Sequence, residues 1–515
     1  MTSRSPRSRA LAVLLALALS ACAGLPDRPQ LKLESAIPEG SGSPLDDWFA
    51  ADERDHPGQS AFRLLSGGAE AFVTRFKSAD SATRSIDVQT YIWHADTTGM
   101  GLAERLLAAA DRGVKVRLLV DDMDARARNV GFEALAAHGN ISVRLFNPFA
   151  SREGKVAYML EGAGSFSRLN HRMHNKSWIV DNRLAVVGGR NLGDEYFEAS
   201  EELNFVDLDF GMIGPVVRDV SRSFDAYWNS TAVYPMNVLD PTAVTVEALA
   251  KLRQWLTEHR DEESLAHYAA TVQADESAPS LGSGDWPMQW SDKYTFAADD
   301  PLKAMMARRD PSRSKVLTTL APVLFGAREE VSVISPYFVP GKSGTASLVK
   351  LAGEGRKVEV LTNSLAANDV AAVHGGYERH RKKLLKGGVK IWELKPVGGV
   401  KAQATLVGSS GASLHTKAFI VDGQTVFLGS YNLDPRSTWL NCEQGVLVEN
   451  EVLAQQLQAI YATQVDADHA WRVSLESGHL RWTDGKETFH SDPKASAGRR
   501  FQAWIARILH LDAQL

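Results

Sequence analysis

The chain has 515 residues, 44% of them hydrophobic and 23% charged, and its 57 Lys and Arg against 62 Asp and Glu give a formal net charge of −5. That length exceeds one ordinary core and points to two domains or a fused duplication, and the composition is that of a globular protein without low-complexity stretches. The acidic balance argues against nucleic acid as a partner, because neutralisation of the phosphate backbone by Lys and Arg dominates that affinity.

At the N-terminus, Arg4, Arg7 and Arg9 precede the apolar run Ala10 to Leu19 and then Leu19-Ser20-Ala21-Cys22. A basic stretch, a short apolar core and small residues before a cleavage point make a secretory signal over 1–21, and an apolar run of about ten residues is too short to span a bilayer. Cysteine directly after Leu-Ser-Ala resembles the lipobox of bacterial lipoproteins, which implies cleavage before Cys22, lipid attachment to it and a position facing the periplasm. Ala23 after that cysteine resembles the pattern for delivery to the outer membrane. The mature chain then keeps 54 basic residues against 62 acidic, a net charge of −8. The remaining cysteine, Cys442, has no partner for an intrachain disulfide and reads as a small core residue. Residues 22–55, rich in Pro, Gly, Ser and Asp, read as a tether.

A first domain is expected over 56–240. Ile86 to Trp93 alternates as a strand, Gly101 to Arg112 reads as a helix, and Val114 to Val120 as another strand ending in Asp121-Asp122. The triplet His174-Asn175-Lys176 follows, with Asp181 five residues past the lysine and Gly188-Gly189-Arg190-Asn191 beyond. Residues 241–314, polar and helix-prone, read as a linker or helical cover. A second domain, 315–470, repeats the order with a strand Val331 to Pro336, a helix Ser347 to Gly353 and a strand Lys357 to Leu361. It then gives His415-Thr416-Lys417, Asp422 at the same offset and Gly429-Ser430-Tyr431-Asn432 in register. In the extension 471–515, Phe501, Trp504, Ile505, Ile508 and Leu509 fall at helical spacing; docking of this helix onto its own domain is expected, with a membrane interface as the alternative.

Both halves read His-x-Lys-x4-Asp. At roughly 5% usage per residue type, one match arises by chance in about 6% of chains this long and two in a few per thousand, so duplication is the simpler explanation. If each motif begins a strand, His174 and Lys176 share a face, as do His415 and Lys417. Two such strands facing each other make a pocket of two imidazoles, two ammonium groups and the amides of Asn191 and Asn432. That set suits a phosphodiester, whose transition state spreads negative charge over its equatorial oxygens and asks for preorganised cations and donors; no metal or cofactor is required. One histidine can attack phosphorus while the other protonates the leaving alkoxide and then deprotonates the incoming hydroxyl. Asp181 and Asp422 complete the motifs and read as supports for the motif strand and its lysine.

The duplicated motif, with Phe146-Asn147-Pro148-Phe149, the run Phe166 to Lys176, Gly188 to Asp194 and the run Thr362 to Val370, resembles the phospholipase D superfamily and, within it, the bacterial cardiolipin synthase C-like branch. The resemblance implies an α/β fold of two pseudo-symmetric α/β/α sandwich domains with mixed β-sheets and a shared active site. It implies that the first-half histidine, His174, is the nucleophile and His415 the acid/base. It also implies that a downstream carboxylate orients each imidazole: Glu443 in the second half, and in the first half Asp207, with Asp209 as competitor. The implied reaction is transfer of a phosphatidyl group from a phospholipid, phosphatidylethanolamine or phosphatidylglycerol, to phosphatidylglycerol. Hydrolysis to phosphatidic acid uses the same residues, and an exported nuclease is a more distant alternative. The loop Ser151 to Asn170 with Arg172, and Asn368, Asp369, His374 and Tyr377, are candidates for headgroup contacts. Expected partners are phospholipid substrates and the membrane reached through the lipid anchor; oligomeric state is unassigned.

Overall fold

The computed structural model describes residues 24–40, 42–123, 130–150, 166–200, 203–259, 281–282, 286–305, 310–368, 370–396 and 414–509. The expected leader 1–21 and Cys22 lie outside them, as do most of the loop 151–170 and Asp369. Nine strands form one sheet: β1 (Ser60–Leu65), β2 (Ser85–Thr90), β3 (Lys115–Asp121), β4 (Ile141–Phe146), β5 (Ser177–Val180), β6 (Leu184–Gly188), β7 (Asp209–Ile213), β8 (Val233–Pro235) and β9 (Gln289–Ser291), in the order β8-β4-β3-β2-β5-β6-β7-β1-β9. Ten form the other: β10 (Tyr294–Ala298), β11 (Glu330–Ile334), β12 (Lys357–Asn363), β13 (Lys390–Leu394), β14 (Ala418–Val421), β15 (Thr425–Gly429), β16 (Gln444–Glu449), β17 (Ala470–Glu476), β18 (His479–Thr483) and β19 (Thr488–Phe489), in the order β10-β16-β15-β14-β11-β12-β13-β17-β18-β19.

The block β4-β3-β2-β5-β6-β7 recurs as β13-β12-β11-β14-β15-β16, with three parallel strands followed by three antiparallel ones in each half. The duplication read in the motifs is therefore a duplication of topology. The motif strands Ser177–Val180 and Ala418–Val421 stand at the centre of their sheets and are buried throughout. Continuous apolar runs suit strands covered on both faces, and each buried Phe, Ile or Val contributes about 1.5–3 kcal/mol. Asp96, Ser314 and Asn450 start helices by accepting from the backbone N–H three residues on. The helices Gly68–Ser81 and Thr97–Asp111 pack on the outer face of the first sheet, and Lys315–Phe325, Gly341–Gly353 and Ala371–Lys386 on that of the second. The two inner faces share one core with Pro215–Trp228 and Glu451–Gln464, in which Ile179, Val187 and Phe210 meet Ile420, Leu428 and Val446.

Three expected segments differ from their reading. The tether 22–55 is strapped to the first half from Arg28 onward: Arg28 donates to the carbonyls of Val233 and Ser230, Glu34 accepts from Arg144 at 2.8 Å and from the Trp228 indole at 3.0 Å, and Pro44–Asp55 is a helix with a Ser43/Asp46 capping box. Its Pro, Gly and Ser mark turns and a cap, not a free linker. Within 241–314, β9 pairs with β1 and β10 pairs with β16, so this stretch stitches the sheets together. The extension adds β17 to β13, and its helix Ala497–Leu509 docks as expected but on small residues, Ala503 and Ala506, with its large apolar side chains turned outward.

Candidate active site

Asp181 and Asp422 follow β5 and β14 in the left-handed region, with φ of 51° and 53°, a conformation aspartate tolerates better than most residues. Asp181 accepts from the backbone N–H of Thr83, Arg84 and Ser85 at 2.8–3.0 Å and from the Ser43 hydroxyl at 2.7 Å. Asp422 accepts from the N–H of Arg328, Glu329 and Glu330 at 2.8–3.1 Å. Each carboxylate thus ties the entry of β2 or β11 to the end of a motif strand. Five extended residues, roughly 16 Å of chain, separate each from its motif lysine, so the pair stands at the end of the sheet opposite the histidines.

The histidine ends of the motifs depart from the expected geometry. His174 and Lys176 lie in the extended segment leading into β5, and His415 and Lys417 in that leading into β14, where the chain leaves its own sheet to bond to the other half. Met173 bridges Cys442 and Val206 bridges Leu414. The N–H of His174 donates to the Cys442 carbonyl at 2.8 Å, and the N–H of His415 to the Val206 carbonyl at 2.9 Å. This crossing brings the motifs together. Each lysine folds back on its own histidine: Lys176 Nζ donates to the His174 carbonyl at 2.6 Å and Lys417 Nζ to that of His415.

The expected carboxylates meet the imidazoles across the halves. His174 Nδ1 lies 3.0 Å from Glu443 Oε2, and His415 Nδ1 lies 2.5 Å from Asp207 Oδ2. Glu443 also accepts from the hydroxyls of Ser430 at 2.5 Å and Ser437 at 2.9 Å, so its lone pairs are aimed by the second half while its charge serves the first. Gly189 makes room for Asp207: a Cβ there would stand 2.2 Å from Asp207 Oδ1. The competitor Asp209 serves another purpose, since it pairs with Arg75 at 2.9 Å and Arg190 at 3.5 Å.

Burial and the neighbouring lysines hold both imidazoles below the ordinary histidine range, His415 down to about 3. Lys417 contributes to the lowering at His174 and Lys176 to that at His415, so each half's cation acts on the other half's ring. Burial lowers Lys176 to about 7, with Lys417 adding to the effect against the pull of Glu443. Burial alone would raise Asp207 and Glu443; the imidazole and lysine beside each outweigh it and hold both carboxyls at about 2. The pocket thus holds ionised carboxylates behind neutral imidazoles. The side chains of His174 and His415 remain 12% and 17% exposed, so both rings reach the surface of the pocket.

Aromatic walls, which the sequence did not flag, fix the rings. Tyr91 meets His174 edge-on at 5.2 Å and Tyr196 meets His415 edge-on at 5.2 Å, with Phe205 tilted against His415 at 5.5 Å. Lys176 Nζ sits 5.5 Å from the Tyr91 ring. Gln444 joins the halves by donating to the Lys176 carbonyl at 2.7 Å and accepting from Asn175 at 3.3 Å. Asn191 accepts from Ile92 N–H at 3.3 Å and donates to the Tyr196 hydroxyl at 2.9 Å, which ties that amide to a wall of the pocket. Asn432 is buried and its Oδ1 meets no partner among the described residues.

The described candidates for headgroup contacts are engaged with protein partners. Arg172 is buried and donates to Asp121 at 3.0 Å; Asn368 accepts from Val370 N–H; Tyr377 donates to Glu393 at 3.0 Å; His374 lies beside Asp492 and Arg381. They are buried polar residues committed to partners inside the fold, and sequence could not separate them from a binding loop. Arg381 donates to Glu393 and Asp492 at 2.9 Å, so the His374, Glu393 and Asp492 trio already holds a cation. His94, Asp96 and Glu195 also bring ligand atoms together, with Asp96 committed to the N–H of Gly99 and Asp194. Burial pushes the Cys442 thiol up to about 12, which removes it as a nucleophile.

No helix among the described residues is long and apolar enough to cross a membrane. The family described as cardiolipin synthase, PLD-like domain, matches residues 76–228 and 320–464, one match per half. Cardiolipin synthase C of Escherichia coli K12 is 41% identical over 470 residues, covering 89% of this chain and 96% of the relative. An uncharacterized protein of Helicobacter pylori is 30% identical over 462 residues, covering 89% of each chain. The crystal structure of phosphatidylserine synthase from Haemophilus influenzae aligns over 91% of this chain and 100% of its own with a TM-score of 0.57 at 14% identity, a likeness of fold. Two family domains, each with a complete motif, and a relative matched over nearly its whole length give one conclusion: the chain belongs to the phospholipase D superfamily, in the cardiolipin synthase branch.

Proposed function

We propose that this chain is a phosphatidyltransferase of cardiolipin-synthase type. It would move a phosphatidyl group from phosphatidylethanolamine or phosphatidylglycerol to the headgroup hydroxyl of phosphatidylglycerol. The observation that carries the reading is the crossed pairing of His174 with Glu443 and His415 with Asp207. Each carboxylate holds the proton on Nδ1 and leaves Nε2 as the reacting nitrogen. His174 Nε2 attacks phosphorus, the bond from phosphorus to the departing headgroup oxygen breaks, and His415 gives that oxygen a proton. In the second displacement His415 takes the proton of the acceptor hydroxyl, its oxygen attacks phosphorus, and the bond to His174 breaks. Lys176, Lys417, Asn191 and Asn432 stabilise the charge on the equatorial oxygens. Both imidazoles are neutral in the free enzyme, so the anionic phosphodiester, by raising the pKa of His415, lets that ring take from solvent the proton that the first step spends.

Transfer and hydrolysis diverge only in which oxygen attacks the intermediate. Purified protein incubated with labelled phosphatidylglycerol, with and without phosphatidylethanolamine, should yield cardiolipin on thin-layer analysis. Phosphatidic acid as the sole product would replace transfer with hydrolysis, and cleavage of DNA without lipid turnover would overturn both. The same reading places the protein on the periplasmic side of the cell envelope, anchored through Cys22 to the outer membrane. Metabolic labelling with a radioactive fatty acid should mark the chain and be lost in Cys22→Ala; unchanged labelling would contradict the anchor.

A further inference from the structure

Among the described residues, one helix turns a cluster of large apolar side chains to the surface, and its charge says what covers it. The helix Ala497–Leu509 packs on Ala371–Lys386 through small residues: a Cβ built on Gly375 would lie 2.3 Å from the Ala503 carbonyl, and Ala503 and Ala506 are buried. Ile505 is half-buried, but the bulkiest side chains of the helix point away from the protein. Phe501 is 58% exposed, Trp504 46% and Leu509 62%, and Phe501 stacks on Trp504 at 5.9 Å. Exposed Leu, Phe and Trp clustered on one helix is unusual for a surface that meets only water.

Charge and topology identify the occupant. The two packed helices carry eight Lys and Arg, among them the exposed Lys382, Lys383, Lys386, Arg500 and Arg507, against one acid, Glu378, on a chain of net charge −5. A basic helix pair around a Trp and Phe patch matches the interface of an anionic bilayer, where aromatic rings sit at headgroup level and cations meet lipid phosphates. A chain of hydrogen bonds also ties this helix to the catalytic segment. Arg499 donates to the carbonyls of Leu365 and Asn368 in the loop after β12. At the end of β12, Asn363 holds both backbone groups of Leu414, the residue before His415, at 3.0 and 3.2 Å.

We propose that Phe501, Trp504 and Leu509 insert into the headgroup region of an anionic phospholipid bilayer and seat the pocket mouth against it. This deepens the phospholipid reading of the active site by naming the surface that meets lipid, but its test needs no turnover. The full chain carrying Cys22→Ser and His174→Ala, which removes any acyl anchor and the catalysis, is labelled with a nitroxide at Trp504→Cys or, as a control, at exposed Val452→Cys. On vesicles of phosphatidylglycerol and phosphatidylcholine, the 504 label should become accessible to oxygen and shielded from a water-soluble nickel complex, while the 452 label stays aqueous. A 504 label that remains aqueous on bound vesicles overturns the proposal, as does a label shielded without vesicles in a concentration-dependent way, which would make this face a contact between copies. With His174 intact, Phe501→Ser, Trp504→Ser and Leu509→Ser together should lower turnover on vesicles by about tenfold or more while turnover of a short-chain monomeric phospholipid is unchanged. Equal loss on both substrates would also overturn it.

Discussion

Replacing Glu443 with Gln removes one negative charge, keeps the volume of the side chain and so reads the carboxylate alone. Glu443 accepts from His174 Nδ1 at 3.0 Å and from the Ser430 and Ser437 hydroxyls at 2.5 and 2.9 Å. An amide in its place presents either an uncharged oxygen to Nδ1 or its NH2 group, which forces Nδ1 to accept and moves the ring proton to the nitrogen that must attack. A hydrogen bond to a charged group contributes about 1.5–3 kcal/mol, and the wrong tautomer adds to that loss. Together they put the fall in kcat on the order of 10³-fold. Asp209→Asn makes the contrast. It leaves both imidazoles untouched but strands Arg75 and Arg190, at 2.9 and 3.5 Å, inside the protein. Breaking such a buried pair costs about 3–5 kcal/mol. The assay is kcat for phosphatidyl transfer in mixed micelles, beside urea unfolding of each variant. The reasoning fails if Glu443→Gln keeps kcat within about tenfold, or if its chief effect is unfolding and that of Asp209→Asn is lost turnover.

Lys176, held by burial at about 7, loses its charge as pH rises, so kcat/KM for the free enzyme should decline above about pH 7; Lys176→Arg should carry that limb to higher pH. Folding stability should fall as pH drops from about 6.5 toward 3, because His415, lowered from 6.5 to about 3, must gain a proton that the unfolded chain already holds. Urea midpoints across that range measure it, and a slope that His415→Asn does not flatten would contradict the buried neutral ring. Gly189→Ala should push Asp207 off His415, since the new Cβ would lie 2.2 Å from Asp207 Oδ1; a kcat within a factor of about three of the parent would mean that this carboxylate does not orient the ring. Asp422→Ala removes the acceptor for three consecutive backbone N–H groups and should destabilise by about 1–3 kcal/mol, with turnover at low temperature retained.

The duplicated motifs and the alternation of strands and helices carried most of the fold, because each half buries its central strands on both faces and writes them as apolar runs. What escaped is what depends on the halves meeting. Glu443 and Asp207 were expected because the family resemblance implies a carboxylate downstream of each motif, but nothing local says that each serves the opposite histidine; that follows from the Met173–Cys442 and Val206–Leu414 bridges, contacts over 200 residues apart in the chain. Asp207 and Asp209 share a local pattern and are told apart by their partners, Arg75 and Arg190 for Asp209 and His415 for Asp207. The helical stripe Phe501, Trp504, Ile505, Ile508 and Leu509 pointed to a packing face under the rule that apolar residues face inward; Gly375, whose missing side chain admits Ala503, turns the helix so that of these only Ile505 is half-buried. Residues 22–55 read as a tether because Pro, Gly and Ser look alike in a linker and in a strap of turns, while Glu34 and Ser43 reveal their partners only in three dimensions.

The central claim is that two imidazoles, one from each half, share one phosphodiester and divide the work. Mass-spectrometric mapping of the adduct formed by His415→Ala with phosphatidylglycerol tests it most directly. The account predicts a phosphatidyl group on His174 that builds up because the entering hydroxyl has lost the base that takes its proton. A stable adduct on His415 in His174→Ala, or turnover that survives the loss of either ring, would contradict it.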